Sequence, residues 1–208
     1  MNKITMLGTG NALVSHIYNT CFVLETDKTQ LLVDAGGGNG ILAQLRKANI
    51  PITNIHHLFV THAHSDHILG VVWVIRMVAQ CKEYVGQLHV YGNDKVMRVI
   101  HAINNMVLAK KQLEKVDERV IYHELEDGDR YEVGDMQLTF FDIHSTKEKQ
   151  FGFRAEMPNG TTLACLGDEP YNEANRQYIE NADGKKIPDD QNGKSAIFVG
   201  KLQVKLAK

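Results

Sequence analysis

Thr61-His62-Ala63-His64-Ser65-Asp66-His67 is the stretch of this 208-residue chain that decides its fold. His62 and His64 lie two positions apart after the apolar run His57-Leu58-Phe59-Val60, so an extended backbone turns both imidazoles to the same side. Asp66 and His67 follow where a helix is expected to begin, and they can reach a neighbouring position. Four ligand-type side chains within six residues are typical of a site for two metal ions.

The spacing of these four residues is too specific to be dismissed as coincidence. In a chain of this length with ten histidines, H-x-H-x-D-H is expected by chance in about one chain in a thousand. Metal ligation is therefore favoured over histidines that cluster by accident in a core.

Two later residues have the same context. His144 follows the predicted strand at residues 136–141, and Asp168 follows the predicted strand at residues 161–166. Each is a weak signal alone, since a single histidine is more often structural than functional. Their order, each at the end of a strand, favours a role in the same site.

Together these residues resemble the signature of the metallo-β-lactamase superfamily. The resemblance implies that His62, His64 and His144 bind the first metal, that Asp66 and His67 bind the second, and that Asp168 bridges both. It also implies an α/β fold, the αββα sandwich of two mixed β-sheets with helices on the outer faces. The order of strands and helices agrees, because two runs of strands with helices between and after them indicate two sheets packed face to face.

Three further stretches resemble the ribonuclease Z and small phosphodiesterase branch of that superfamily: Leu7-Gly8-Thr9-Gly10, Leu32-Val33-Asp34-Ala35-Gly36, and Phe151-Gly152-Phe153 after His144. The match covers about residues 1–183. Members of this branch are dimeric, so a homodimer is expected, and the apolar helix from Ile68 favours one. We expect one domain over residues 1–208, atypical or truncated from about residue 184.

One departure concerns the second metal. The superfamily normally has another histidine after the bridging aspartate, yet no histidine follows His144. The second metal would then have Asp66, His67, Asp168 and water. We expect this site to be under-occupied, unless a partner chain or solvent replaces the missing ligand.

Weaker signals surround the motif. Asp66 could also orient the attacking water, and Asp34 either accepts a hydrogen bond from a ligand histidine or caps a turn. Glu169 either relays a proton to the leaving group or is a surface residue. Lys147 and Lys149 either contact a substrate phosphate or lie on a solvated loop.

Composition indicates which partners and which cellular compartment to expect. A net charge of -2 and an isoelectric point near 6.5 do not favour long nucleic acid as a partner. Three scattered cysteines without a CxxC pair suit a reduced, cytoplasmic protein. The most apolar run, residues 68–79, is shorter than the ~20 residues that span a bilayer, so no membrane association is expected.

These observations predict a metal-dependent hydrolase with two divalent ions, zinc being favoured over manganese or iron. A phosphodiesterase for small nucleotides or cyclic nucleotides is the leading hypothesis, with a metal-activated water as nucleophile. The branch also contains tRNA 3′ endonucleases, whose bacterial members commonly insert a tRNA-gripping arm between the third histidine and the bridging aspartate. Only 24 positions separate His144 from Asp168, so the small substrate is favoured, and phage-encoded phosphodiesterases that degrade cyclic-nucleotide defence signals also lack the arm. A thioester, lactone or β-lactam hydrolase and a non-catalytic protein with an incomplete metal site stay open.

Overall fold

The strands of the protein form two sheets in a computed structural model that describes residues 2–169, 172–180, 185–187, 197–199 and 203–206. The first sheet contains β1 (Lys3–Gly8), β2 (Cys21–Glu25), β3 (Gln30–Val33), β4 (His57–Phe59), β5 (Leu88–Gly92), β6 (Val120–Glu124) and β13 (Gln203–Leu206). Its spatial order is β13-β1-β2-β3-β4-β5-β6. The strands from β1 to β3 pair antiparallel and those from β3 to β6 pair parallel, so this sheet is mixed.

The second sheet contains β7 (Arg130–Val133), β8 (Met136–Asp142), β9 (Phe151–Glu156), β10 (Thr162–Cys165), β11 (Lys185–Ile187) and β12 (Ile197–Val199), in the order β11-β12-β10-β9-β8-β7. All pairs between these described strands are antiparallel. The rest of the segment from residue 184 onward, which we expected to be atypical, lies outside the described residues.

Helices cover the outer faces of both sheets. They are α1 (Gly40–Ala48), α2 (Ser65–Gln80), α3 (Asp94–Val107), α4 (Lys110–Arg119) and α5 (Arg176–Ile179), with short 3-10 turns at Ile52–Asn54 and Glu173–Asn175. One apolar cluster lies between the first sheet and α1 to α4, and a second lies between the two sheets. On the far side of the second sheet, Phe141 stacks on Tyr178 of α5. This is the expected αββα sandwich, and the fold prediction is confirmed, with the difference that the described strands of the second sheet pair antiparallel rather than as a mixed sheet.

Apolar residues recur at helical spacing from Val96 to Val107, which predicts one long helix over about residues 94–116, but the structure has two helices there. Leu108 adopts an extended backbone between α3 and α4 and is buried, so the chain turns there to keep that side chain in the core. The apolar stripe of α3, which we expect to face the core, is not buried along its whole length, since Met106 near its end is 84% exposed. None of the described helices is both long enough and apolar enough to cross a bilayer.

Helix α2 docks backbone against backbone on the loop after β3. The Gly70 N–H donates to the Gly36 carbonyl at 2.8 Å, and the Ala35 N–H donates to the His67 carbonyl at 3.1 Å. A Cβ on Gly70 would lie 1.8 Å from the Ala35 carbonyl oxygen. This close approach is possible because glycine has no side chain, and it brings the start of α2 next to Asp34.

We predict that Gly70→Ala destabilises the protein by at least the ~1–3 kcal/mol typical of overpacking, because backbone atoms rather than a flexible side chain must move. Gly38→Ala is the matched control, since its Cβ would meet nothing within 4 Å. Thermal denaturation followed by circular dichroism measures both. Equal melting temperatures for the two variants would show that the helix and loop are not in the contact described here.

Candidate metal centre

The histidine motif lies on the connection between β4 and α2. Strand β4 ends at Phe59, earlier than the sequence suggested, and His64 is the N-cap of α2, with an extended backbone. His62 Nε2 lies 2.9 Å from His64 Nδ1. The expected convergence of these two imidazoles is therefore present, on the loop between β4 and α2 rather than on the strand itself.

Asp34 lies beneath the motif and is buried. Its Oδ1 accepts the Thr61 backbone N–H at 2.8 Å, and its Oδ2 accepts the Thr61 hydroxyl at 2.9 Å. Its Oδ2 also lies 2.8 Å from His67 Nδ1. Because a carboxylate only accepts, His67 carries a proton on Nδ1 and directs Nε2 away from Asp34.

The backbone of Asp34 has a positive φ of 55°, a conformation in which aspartate is enriched among non-glycine residues. Its N–H donates to the Phe59 carbonyl at 2.8 Å, which ties the end of β3 to the end of β4. The side chain is thus held under the loop that carries the histidines, where it does more than cap a turn.

Three ligand atoms converge above this layer. One atom each from His62, His67 and Asp168 lies within 4.8 Å of the other two. His67 Nε2 is 3.1 Å from Asp168 Oδ2 and 3.6 Å from Asp66 Oδ2. Asp168 comes from the turn after β10 on the second sheet, so the cluster joins the two sheets at one end of the sandwich.

The electrostatics of this cluster suit a cation. Burial, followed by repulsion from His67, lowers the pKa of His62 to about 3, so its imidazole is neutral and has a lone pair to donate. Burial alone would lower the pKa of His67, but the carboxylates of Asp34 and Asp168 raise it well above 6.5. Positive charge is therefore favoured between His67 and Asp168, where a metal ion can take the place of a proton.

His144 lies apart from this cluster. It follows β8 with a positive φ of 57°, its side chain is 52% exposed, and its Nδ1 is 4.0 Å from Asp142 Oδ1. Its backbone N–H donates to the same carboxylate. The structure thus places the predicted third histidine at the rim, on a turn held by Asp142.

The other predicted residues lie on the loops after β8 and β10. Glu169 Oε1 accepts the Ser145 hydroxyl at 2.8 Å and lies 3.7 Å from Lys147 Nζ. Lys149 Nζ donates to Asp94 Oδ1 at 2.7 Å and sits over the Phe151 ring. Lys147 therefore lies beside Glu169, whereas Lys149 forms an ion pair with Asp94 at the start of α3.

A sequence profile of the family described as Anti-Pycsar protein Apyc1 matches residues 2–190. The chain belongs to this family. It is 31% identical over 188 residues to exodeoxyribonuclease WalJ of Streptococcus pneumoniae serotype 2 strain D39, covering 89% of this chain and 61% of that protein. It is 27% identical over 216 residues to ribonuclease Z of Staphylococcus carnosus strain TM300, covering 97% of this chain and 66% of that protein. The chain thus spans less than two thirds of either relative.

The crystal structure of the short form of human tRNase Z has the same fold, with a TM-score of 0.72 at 20% identity over 88% of this chain and 75% of that one. The predicted membership of the metallo-β-lactamase superfamily, in its ribonuclease Z-like branch, is confirmed by these matches together.

In this member of the Apyc1 family, two residues that support the site had no assigned role in the sequence. Thr61 stood in the motif, but its contact with both Asp34 and His62 depends on tertiary structure. Gln150 is buried, and its Oε1 accepts the Asp168 backbone N–H at 3.4 Å. No local pattern distinguishes this glutamine from a surface residue.

We predict that His64→Ala lowers metal affinity by orders of magnitude, because it removes one of the two imidazoles that face each other and leaves an open chelate. Metal content after dialysis, measured by elemental analysis, and calorimetric titration of the metal-free protein report this change.

His16→Ala is the matched control, since it removes an exposed histidine from the loop after β1 and should bind metal as the parent does. Parent-like metal binding by a folded His64→Ala protein would exclude His64 as a ligand.

Proposed function

We propose that this chain is a metal-dependent phosphodiesterase that hydrolyses small nucleotides, with a cyclic mononucleotide as its substrate. The convergence of His62, His67 and Asp168 carries the proposal. Two imidazoles and a carboxylate are a donor set found in hydrolytic centres that bind zinc, manganese or iron. The names of the relatives, a nuclease and a ribonuclease Z, fit phosphodiester chemistry.

Each side chain can be assigned a metal-binding role. His62 Nε2 and His64 Nδ1 would hold the first metal, and His67 Nε2 and Asp66 would hold the second. Asp168, from the turn after β10, would contribute to both. Bound divalent ions supply a nucleophilic water at neutral pH and neutralise charge on the phosphoryl oxygens.

Three residues of the loop after β8, together with Glu169 after β10, complete this assignment. We assign His144 to the first metal as well, through a rotation of its exposed side chain toward the cluster. Glu169 contacts the Ser145 hydroxyl and lies near Lys147, and we assign it the delivery of a proton to the leaving oxygen. Lys147 and Lys149 would provide positive charge for the phosphate.

The second metal position is the weaker one in this proposal. His67 is its one imidazole, and the remaining donors, Asp66 and Asp168, are carboxylates. Because this donor set has a single imidazole, we expect the second metal to bind more weakly than the first and to be under-occupied at low metal concentration.

The segment between His144 and Asp168 favours a compact substrate. Strands β9 and β10 and the turn between them occupy most of it, which leaves no room there for an arm that grips tRNA. The net charge of -2 agrees, since a protein that contacts many phosphates normally has a basic face.

We predict turnover of cyclic mononucleotides and of bis(p-nitrophenyl) phosphate in the presence of Zn²⁺, Mn²⁺ or Fe²⁺, and little cleavage of precursor tRNA. All substrates are compared under the same metal conditions, with His67→Ala as the control for activity that does not come from this site. Position-specific cleavage of precursor tRNA without turnover of the small diesters would favour the endonuclease hypothesis instead. Degradation of DNA alone would favour an activity like that in the name of the WalJ relative.

We also propose that the protein is a cytoplasmic homodimer that pairs through the outer face of α2. Leu69, Trp73 and Met77 lie four residues apart on this helix and are 38%, 38% and 37% exposed. Met77 also lines a 440 Å³ cavity with apolar residues of α1. A surface of this kind, with large apolar side chains in a row, is typical of a protein interface.

Trp73→Glu is predicted to convert a dimer into a monomer, because a carboxylate would be buried at the centre of the interface. Sedimentation equilibrium measures the mass. Val85→Glu places the same charge on an 80% exposed apolar residue that does not line this cavity, and it should leave the dimer intact. A parent protein that is monomeric at micromolar concentration contradicts the proposed pairing.

A further inference from the structure

The Thr61 hydroxyl lies between a buried carboxylate and a buried imidazole. Its Oγ1 is 2.9 Å from Asp34 Oδ2 and 2.9 Å from His62 Nδ1. All three side chains are buried, so water does not compete for these contacts. The Thr61 backbone N–H also donates to Asp34 Oδ1, so both the backbone and the side chain of Thr61 are held by the same carboxylate.

The protons in this chain of contacts can be assigned. A hydroxyl has one proton, and the carboxylate can only accept it, so Thr61 donates to Asp34 and must accept from His62. His62 therefore carries its proton on Nδ1, and its Nε2 lone pair is directed at the metal cluster. The other tautomer would place a proton on Nε2, where a metal ligand needs a lone pair.

Asp34 controls the second histidine in a different way. Its Oδ2 accepts the His67 Nδ1–H directly at 2.8 Å. One carboxylate oxygen thus orients both histidines, with a direct bond to His67 and a hydroxyl relay to His62. The two metal positions consequently share one acceptor.

We propose that Thr61 is a positioning residue that fixes the tautomer of His62. Through the Thr61 hydroxyl, Asp34 orients His62 at the first metal position as well as His67 at the second. This inference rests on the metal centre proposed above, but not on the identity of its substrate. It goes beyond support of the fold, because it predicts a selective effect: loss of the hydroxyl disturbs His62 and spares His67.

The experiment compares three variants. Thr61→Val keeps the shape and the backbone contact but removes the hydroxyl, and Thr61→Ser keeps the hydroxyl. Thr5→Val is the matched control, because the buried Thr5 hydroxyl donates to a carboxylate oxygen of Glu25 at 2.6 Å away from the site. Histidine ¹⁵N chemical shifts of the metal-free proteins report each tautomer, and competition with a chromophoric chelator reports Zn²⁺ affinity.

We expect the parent, Thr61→Ser and Thr5→Val to carry the His62 proton on Nδ1 and to bind Zn²⁺ alike. Thr61→Val should lose this tautomer preference, keep the His67 resonances, and bind the first Zn²⁺ about 10- to 100-fold more weakly, the usual effect of removing a hydrogen-bond partner of a ligand histidine.

Three results would overturn the inference. The first is a parent protein with the His62 proton on Nε2, which can be seen even if Thr61→Val does not fold. The second is parent-like tautomer and affinity in Thr61→Val, and the third is an equal loss of affinity in Thr5→Val. None of these readings uses a substrate, so a failure of the phosphodiesterase proposal in the activity assays is a separate outcome.

Discussion

The buried carboxylate of Asp34 is the group on which the candidate site depends. It accepts hydrogen bonds from the Thr61 backbone, the Thr61 hydroxyl and His67, and through them it directs one nitrogen of each of two histidines into the same space. A buried carboxylate without such partners would be costly. Here three hydrogen-bond donors satisfy the Asp34 carboxylate. The same hydrogen bonds fix the orientation of Thr61 and His67 at the site.

The fold provides the geometry for this arrangement. Strands β3 and β4 run parallel as neighbours, so Asp34 after the first and Thr61 after the second emerge at the same edge of the sheet. Gly70 lets α2 approach the loop after β3 closely enough for His67 to reach Asp34. The second sheet contributes Asp168 from the turn after β10, and the Phe151 N–H donates to the Thr61 carbonyl at 2.9 Å. The site is thus where the two sheets and one helix meet.

The fold and the core of the site could be predicted from sequence because their signals are local. Four candidate ligands lie within six residues, and the main strands are apolar runs bounded by turns. The helix break at Leu108 could not be predicted, since apolar residues continue at helical spacing across it and only burial explains the turn. Strands β6 and β7 are not evident from the sequence, because they are edge strands with polar residues. The relay role of Thr61 and the rim position of His144 depend on tertiary contacts and on a left-handed backbone, which no spacing encodes.

The most direct test of the proposed metal centre is anomalous diffraction at the metal absorption edge from crystals of the full chain grown with Zn²⁺ or Mn²⁺. We expect density bound by His62 Nε2 and His64 Nδ1, and adjacent density bound by His67 Nε2 and Asp168. Nδ1 of His62 should still face Thr61, and Nδ1 of His67 should still face Asp34. Metal bound at other residues, or imidazoles flipped so that Nδ1 of His62 or His67 is the ligand, would contradict it.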